Sequence, residues 1–270
     1  MDKKENFFYA EYDAGMYDET IELAVPEYQL IHKSLIDFLD YYFCTIRGKT
    51  CDEVFGTVID IGAGTGTESI SILKKFPNIR ILAIDLCDPM KDEFEKNYSL
   101  VFGKNAPKRY NFLIDDILKS SCNQSKLSKY LLAKENSFLG VISAYCIHHF
   151  TTEEKEKVYS KMLSFVGKEG FVINLDLFNY ESNLFSKISH QFDLDYIKNQ
   201  FETPDLKFIE SRKIEKEKRL ELGNKWIHHM NNANLLESTE IQQKMLYKHG
   251  AKHVEILFKY FQQGLLCAIK

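Results

Sequence analysis

Short apolar runs alternate with amphipathic segments along most of the chain. The runs typical of strands are residues 57–61, 79–85, 110–114, 138–145, 171–177, 253–259 and 261–269. The segments between the first five runs have the apolar spacing or the capping residues of helices. Alternation of this kind predicts an α/β fold, built on an open and mostly parallel seven-stranded sheet.

Two parts of the chain fall outside this alternation. Residues 1–50 precede the first strand and include an amphipathic helix from Tyr28 to Phe43. Residues 179–237 follow the fifth strand and are helical in pattern. We therefore predict an N-terminal helical arm over 1–50, a core over 51–178 and 238–270, and a helical cap over 179–237. The arm can also act as a lid over a bound ligand.

The first strand and the turn after it carry the strongest candidate chemistry. Residues 58–61 are apolar except for Asp60, and Gly62, Gly64 and Gly66 follow at alternate positions before a helix. Glycines at such a turn allow a ligand to approach the backbone closely. The N-terminus of the helix presents unpaired N–H groups to the same place. The turn is therefore predicted to bind a polar ligand.

The glycine spacing indicates which nucleoside binds. Dinucleotide-binding turns are spaced G-x-G-x-x-G, whereas this turn reads G-x-G-x-G and has Thr67 where the third glycine would fall. Asp-x-Gly-x-Gly-x-Gly resembles motif I of the class I S-adenosylmethionine (SAM) methyltransferases, which have a Rossmann-like sheet. The resemblance favours SAM over NAD, with S-adenosylhomocysteine as product. It implies cofactor contacts at Asp60, Gly62, Ala63 and Gly64.

Acidic residues close the next two predicted strands. Asp85 lies nineteen residues after Gly66, where an α/β nucleoside site needs a carboxylate for the ribose hydroxyls. Leu86 follows it directly. After the third strand, Asp116 and Ile117 are candidates to contact the adenine amino group and ring, although an acid at this position also caps helices.

Two segments near the ends of the chain resemble a narrower family of SAM-using enzymes. Val25-Pro26-Glu27-Tyr28, together with the stretch from Glu237 to Lys270, is similar to the carboxy-SAM synthases. The resemblance adds Tyr28 and Ala144 to the expected cofactor contacts. It also implies that the last strand inserts antiparallel into the sheet.

The cap departs from that family at one position. Carboxy-SAM synthases use a cap arginine to hold the carboxylate of the carboxymethyl group. In this chain Trp226 or Ile227 takes its place, and no arginine occurs after Arg219. An apolar side chain cannot neutralise a buried carboxylate. The sequence therefore favours an ordinary methyltransferase, while a carboxy-SAM synthase-like enzyme and a non-catalytic SAM-binding module stay open as alternatives.

The loop after the fourth strand supplies candidate catalytic groups. Methyl transfer needs alignment, exclusion of water and, for an O–H or N–H acceptor, a base. His148 or His149 in Ile147-His148-His149-Phe150 can be that base, or either can be structural. Side chains of the arm and cap are candidates to line the acceptor pocket, namely Tyr12, Tyr17, Trp226 and His229.

Composition narrows the remaining functions. The net charge of −4 argues against a general affinity for nucleic acid. The segment from Ile147 to Phe150 resembles the I-H-H-[LF] sequence common in small-molecule methyltransferases, which implies a small-molecule acceptor. No apolar stretch is long enough to span a membrane, and no signal-peptide pattern occurs. Six scattered cysteines without a Cys-x-x-Cys pair indicate a reduced, cytoplasmic protein without a metal site. Homodimerisation is left open.

Overall fold

A computed structural model describes residues 14–119, 125–132, 138–204 and 214–270. Its strands are β1 (Gly56–Ile61), β2 (Ile79–Asp85), β3 (Tyr110–Ile114), β4 (Phe138–Ala144), β5 (Val166–Leu177), β6 (His253–Tyr260) and β7 (Gln263–Ile269). They form one seven-stranded sheet in the order β3-β2-β1-β4-β5-β7-β6. This confirms the predicted α/β class and strand number.

The direction of the strands also agrees with the prediction. Neighbouring strands from β3 to β5 are all parallel, and β7 pairs antiparallel with both β5 and β6. Strand order reverses between β1 and β4, because β2 and β3 lie on one side of this pair and β5 on the other. Ligands of open α/β sheets bind at the carboxyl ends of the strands beside such a reversal.

Helices cover both faces of the sheet. They are α1 (Ala14–Ala24), α2 (Tyr28–Asp40), α3 (Thr67–Lys75), α4 (Asp88–Phe102), α5 (Lys126–Leu132), α6 (Thr152–Phe165), α7 (Asn183–Glu202), α8 (Lys216–Asn232) and α9 (Thr239–Lys248). Single turns of 3₁₀ helix occupy Cys51–Glu53, Ile117–Lys119 and Ile147–His149. Among the described helices, none is both long and apolar enough to cross a membrane.

The alternation of side chains along β1 builds two cores. Val58 lies in a cluster with Ile31 of α2 and Phe94 of α4. Its neighbour Ile59 points to the opposite face and packs in a cluster with Tyr159 of α6. A buried parallel strand needs apolar side chains on both faces, which explains the nearly continuous apolar run.

Several element boundaries differ from the sequence prediction. The arm helix becomes a π-helical turn over Tyr41–Ile46 before it ends, so only residues 28–40 are α-helical. β5 begins at Val166 rather than Phe171, because residues 166–170 continue the strand. The helix expected over residues 121–134 is described only as Lys126–Leu132, and the rest of it lies outside the described residues.

The arm and the cap share a third cluster of buried side chains. Ile21 and Val25 of the arm pack with Leu222 and Trp226 of α8 and with Leu177 at the end of β5. The division into arm, core and cap domains stays a prediction. The shared cluster places both segments over the carboxyl ends of the central strands.

Candidate functional site

The turn after β1 is bound tightly to the neighbouring strand. The amides of Gly62 and Ala63 both donate to the carbonyl of Ile84, at 2.8 and 3.1 Å. Gly62, Gly64 and Gly66 all have positive φ, which side chains other than glycine rarely adopt. The chain then enters α3 with Gly66 as its N-cap.

The three glycines have different surroundings. A Cβ on Gly62 would lie 2.5 Å from the side chain of Cys146, and one on Gly66 would lie 2.5 Å from the ring of Phe94. A Cβ on Gly64 would meet no atom closer than the Gly62 carbonyl oxygen, at 3.9 Å. Gly62 and Gly66 therefore serve packing, whereas Gly64 borders open space that a ligand can fill.

Three acidic side chains surround this turn. Asp60 accepts a hydrogen bond from the Ser69 hydroxyl at 2.6 Å, and its Oδ1 is buried without a hydrogen-bond partner among the described residues. Burial and the neighbouring Glu68 carboxylate raise the pKa of Asp60 to about 8. Asp85 accepts from the amides of Gly64 and Cys87, both at 2.8 Å, and burial raises its pKa. Asp60 is therefore mostly protonated at neutral pH, and Glu68 and Asp85 supply the negative charge of the site.

The predicted adenine contacts also have local structural roles. Asp116 accepts a hydrogen bond from the Leu118 amide at 2.9 Å and pairs with Lys119, as expected of a capping residue. Ile117 is buried in the core, while the side chain of Leu86 is exposed. Contact of these three residues with adenine stays a prediction.

The arm covers the glycine turn. Asp18 of α1 accepts from the Thr65 hydroxyl at 2.5 Å and from the Asn97 side-chain amide at 2.7 Å. In α2, His32 Nδ1 lies 2.5 Å from Glu68 Oε1. Tyr28 is buried and stacks on Tyr145, with ring centroids 6.4 Å apart.

The backbone is strained at the residue directly after β4. Ala144 is the last strand residue, and Tyr145 follows it with a φ of 48°. A left-handed backbone at a bulky residue costs free energy and is retained where a particular side-chain direction is needed. Here it directs the Tyr145 hydroxyl to donate to Gln263 at 3.1 Å.

The next turn contains the two predicted catalytic histidines. His148 is buried, and its Nδ1 lies 2.5 Å from Oδ1 of Asp176, a buried carboxylate of β5. The carboxylate can only accept, so the ring proton is on Nδ1. Nε2 of His148 is buried and has no hydrogen-bond partner in the described part of the chain.

His149 and His229 complete a cluster with His148. His149 Nδ1 donates to the carbonyl of Ala233 at 3.3 Å, and its ring centroid lies 5.1 Å from that of His229 on α8. Burial lowers the pKa of His149 well below its usual value and that of His229 to about 3. Both rings are therefore neutral at physiological pH.

The histidine cluster lines a narrow cavity between the strand ends, the arm and the cap. The cavity encloses about 30 Å³. Its other walls are mostly apolar and come from Tyr17, Ile21, Ala24, Val25, Tyr145, Leu177, Trp226, Met230 and Gln263. The structure thus brings Tyr17, Trp226 and His229 together along one cavity, while their role in binding an acceptor stays a prediction. Tyr12 lies outside the described residues.

Some residues of the site were missed from the sequence. The sequence analysis included Asp176 only as part of a predicted strand. An acidic residue between Leu175 and Leu177 in an apolar run could have identified it as a candidate for a buried functional carboxylate. Glu68 appeared as a residue in the first turn of a helix. Asp18 gave no distinctive signal, because its role depends on the arm folding back over the turn.

The residues around the glycine turn fit SAM. Its sulfonium and ammonium groups outweigh its single carboxylate, so Glu68 and Asp85 attract it, and its positive charge would favour the ionised form of Asp60. The unpartnered oxygen of Asp60 and the open space at Gly64 offer an acceptor and room for a ligand. The same acids would repel the anionic pyrophosphate of NAD.

Comparison with known proteins agrees with this geometry. Residues 58–170 match the family described as a methyltransferase domain. The chain is 22% identical to carboxy-S-adenosyl-L-methionine synthase of Nautilia profundicola over 267 residues, which cover 99% of this chain and 96% of that protein. This confirms the resemblance inferred from the sequence.

Solved structures share the fold at low identity. Magnesium protoporphyrin IX methyltransferase from Synechocystis PCC 6803, with bound S-adenosylhomocysteine, superposes with a TM-score of 0.55 at 13% identity, covering 95% of this chain and 94% of that one. An O-methyltransferase family protein from Burkholderia thailandensis gives a TM-score of 0.54 at 16% identity, covering 86% of this chain and 57% of that one.

The open space at Gly64 leads to a first prediction. Gly64→Val should abolish SAM binding, because the branched side chain occupies the ligand's approach to the backbone. Calorimetric titration measures the affinity, and thermal unfolding reports stability. Gly48→Val is the matched control, because Gly48 also has positive φ and open space. Unchanged affinity in folded Gly64→Val protein would contradict this position of the ligand.

The carboxylate of Asp85 leads to a second prediction. Asp85→Ala should weaken SAM by about tenfold to a hundredfold, since a hydrogen bond to a charged group contributes roughly 1.5–3 kcal/mol. Asp85→Asn removes the charge and keeps an acceptor for only one of the Gly64 and Cys87 amides, which donate to different oxygens of Asp85, so thermal unfolding is measured alongside to report on the turn. A change below twofold in both variants would leave Asp85 with only its role in the turn.

Proposed function

We propose that the chain is a SAM-dependent methyltransferase that methylates a small molecule bound in the cavity beside the histidine cluster, and its methyltransferase-domain match and its fold support this. S-adenosylhomocysteine is the second product. The observation that carries this proposal is the largely apolar cavity, whose described lining residues include no lysine or arginine. Its walls suit a compact, uncharged or weakly acidic acceptor.

SAM supplies a methyl group activated by its sulfonium. The acceptor's nucleophilic atom forms a bond to this carbon as the carbon–sulfur bond breaks and sulfur keeps the electron pair. The acceptor also loses a proton if it attacks through O–H, N–H or S–H. We assign this proton to Nε2 of His148, which is buried, has no hydrogen-bond partner among the described residues and is oriented by the bond from Nδ1 to Asp176.

The arm is proposed as a lid over the donor. Its contacts with the turn are specific, because Asp18 bridges Thr65 and Asn97 while Tyr28 packs on Tyr145. Trp226 Nε1 donates to Thr20 Oγ1 at 3.3 Å, which joins the arm to the cap. Opening the arm would admit the donor, and closing it would exclude water.

Carboxy-SAM synthesis is the competing function. In the cap helix, Arg219 Nε donates to the carbonyl of Phe201 at 2.8 Å, so this arginine holds α8 to the end of α7. Lys225 pairs with Glu221 on the surface of α8. In the described residues that line the cavity, Trp226 and His229 occupy the cap side, and neither carries a permanent positive charge.

This difference leads to a third prediction. The protein should bind SAM more tightly than carboxy-SAM and should not form carboxy-SAM from prephenate and SAM. A carboxylate facing indole loses water and gains no partner, at a cost of several kcal/mol. Competition titration with the two ligands measures the preference.

A variant makes this test sharper. Trp226→Arg should shift the preference toward carboxy-SAM, whereas Trp226→Phe, which keeps an aromatic ring, should not. Tighter binding of carboxy-SAM by the unmodified protein would show that a cation reaches the donor and would favour the synthase function.

A fourth prediction tests methyl transfer itself. Incubation with metabolite extract and methyl-labelled SAM should yield a labelled small molecule, detected by mass spectrometry. His148→Gln should reduce the yield at least tenfold and leave SAM affinity unchanged, because His148 faces the acceptor cavity rather than the glycine turn. No labelled product from any extract would favour a non-catalytic SAM-binding module.

A further inference from the structure

The ring nitrogens of His148, His149 and His229 are close enough together to bind one metal ion. One ring nitrogen from each of His148, His149 and His229 lies within 4.8 Å of the other two. Three nitrogens bound to Zn²⁺ at about 2.0–2.1 Å stand roughly 3.3 Å apart in tetrahedral geometry. Small rotations of the rings are sufficient to close this difference.

Two of the rings are already oriented for coordination. Asp176 accepts the Nδ1 proton of His148, and the carbonyl of Ala233 accepts that of His149. Metal-bound histidines typically donate their second N–H to a carboxylate or a backbone carbonyl in this way. The Nε2 lone pairs of both rings are thereby left for another ligand. His148 Nε2 is buried and unpartnered in the described structure.

We propose that His148, His149 and His229 bind a divalent transition-metal cation such as Zn²⁺, with a fourth coordination position open to the cavity. Three imidazoles and one open position are the donor set of a catalytic rather than a structural zinc site. The role of the cation rests on the proposed methyl transfer, whereas binding of the cation does not.

The nearby charges define what the fourth ligand should be. Asp176 is buried behind His148 and contributes one negative charge. The positive charge of Lys155 repels a cation at this site. Its Nζ is held near the cluster by donating to the carbonyls of Phe150 and Leu235. An anionic atom in the fourth position would balance the remaining charge. The site therefore selects an acceptor that ionises on binding, through an alcohol, enol, phenol or thiol group.

The cation would change how the acceptor loses its proton. A metal-bound O–H or S–H group ionises at lower pH, and its proton passes to solvent. The acceptor would then attack as an anion held by the cation, so in the metal-bound form His148 Nε2 would hold the cation instead of accepting the proton directly.

A second cluster provides the alternative metal site. Asp40, Cys44 and Cys51 also bring three ligand atoms within 4.8 Å. There the Asp40 carboxylate already pairs with Lys75 at 2.6 Å, and burial raises the pKa of the Cys44 thiol to about 12. Both features disfavour a cation, so this cluster is expected to stay empty at low metal concentration.

Metal titration of the untagged full-length protein tests the proposal. We expect one Zn²⁺ or Co²⁺ per chain, measured by calorimetry and elemental analysis in the absence of SAM and acceptor. Co²⁺ should give visible d–d bands without a sulfur-to-cobalt charge-transfer band. His229→Ala and His148→Gln should each weaken binding at least tenfold, and Asp176→Asn by about tenfold to a hundredfold.

Matched controls separate the two clusters. His228→Ala removes the exposed neighbouring histidine of α8 and should leave affinity unchanged, as should Cys51→Ser. Thermal unfolding confirms that each variant is folded. Absence of binding, binding unaffected by the His148 and His229 variants, or binding lost in Cys51→Ser would overturn the proposal. Methyl transfer that persists in chelator would overturn the role of the cation and leave the proposed function intact.

Discussion

The buried carboxylate of Asp176 determines the geometry of the acceptor side. Its oxygens accept from the amide and Nδ1 of His148 and from the amide of Leu177. A carboxylate removed from water is tolerated only when donors replace its hydration, so these bonds are required once β5 places Asp176 in the interior. They hold the loop after β4 against β5 and determine which nitrogen of His148 carries the proton.

Two electrostatic environments meet at the reversal of strand order. Glu68 and Asp85 make the glycine turn negative, which suits a donor with net positive charge. The cavity beside His148, by contrast, is lined mostly by apolar side chains. This separation gives donor and acceptor different surroundings, and it places the sulfonium carbon at the boundary between them in the proposed reaction.

The proposed function gives different chemistry to a chain that is similar to carboxy-SAM synthase. The similarity extends over nearly the whole chain, including the arm and the cap. The proposal depends on the side chains that the cap presents to the cavity. Arg219 holds α8 to α7 through backbone carbonyls, and Trp226 and His229 face the cavity instead. In the proposal, the choice between methyl transfer and carboxy-SAM synthesis depends on individual side chains of the cap more than on the fold.

The sequence by itself determined the strand–helix alternation, the glycine turn and Asp85 at the end of β2. These features are local, because side-chain periodicity and glycine's backbone freedom act within a few residues. Only the tertiary structure separated Gly64, beside open space, from Gly62 and Gly66, which pack against Cys146 and Phe94. It also decided that His148 and His149 meet His229, about eighty residues away in the chain, and that Asp176 lies behind them. Those contacts follow from how the cap packs over the strand ends, and no local pattern encodes that packing.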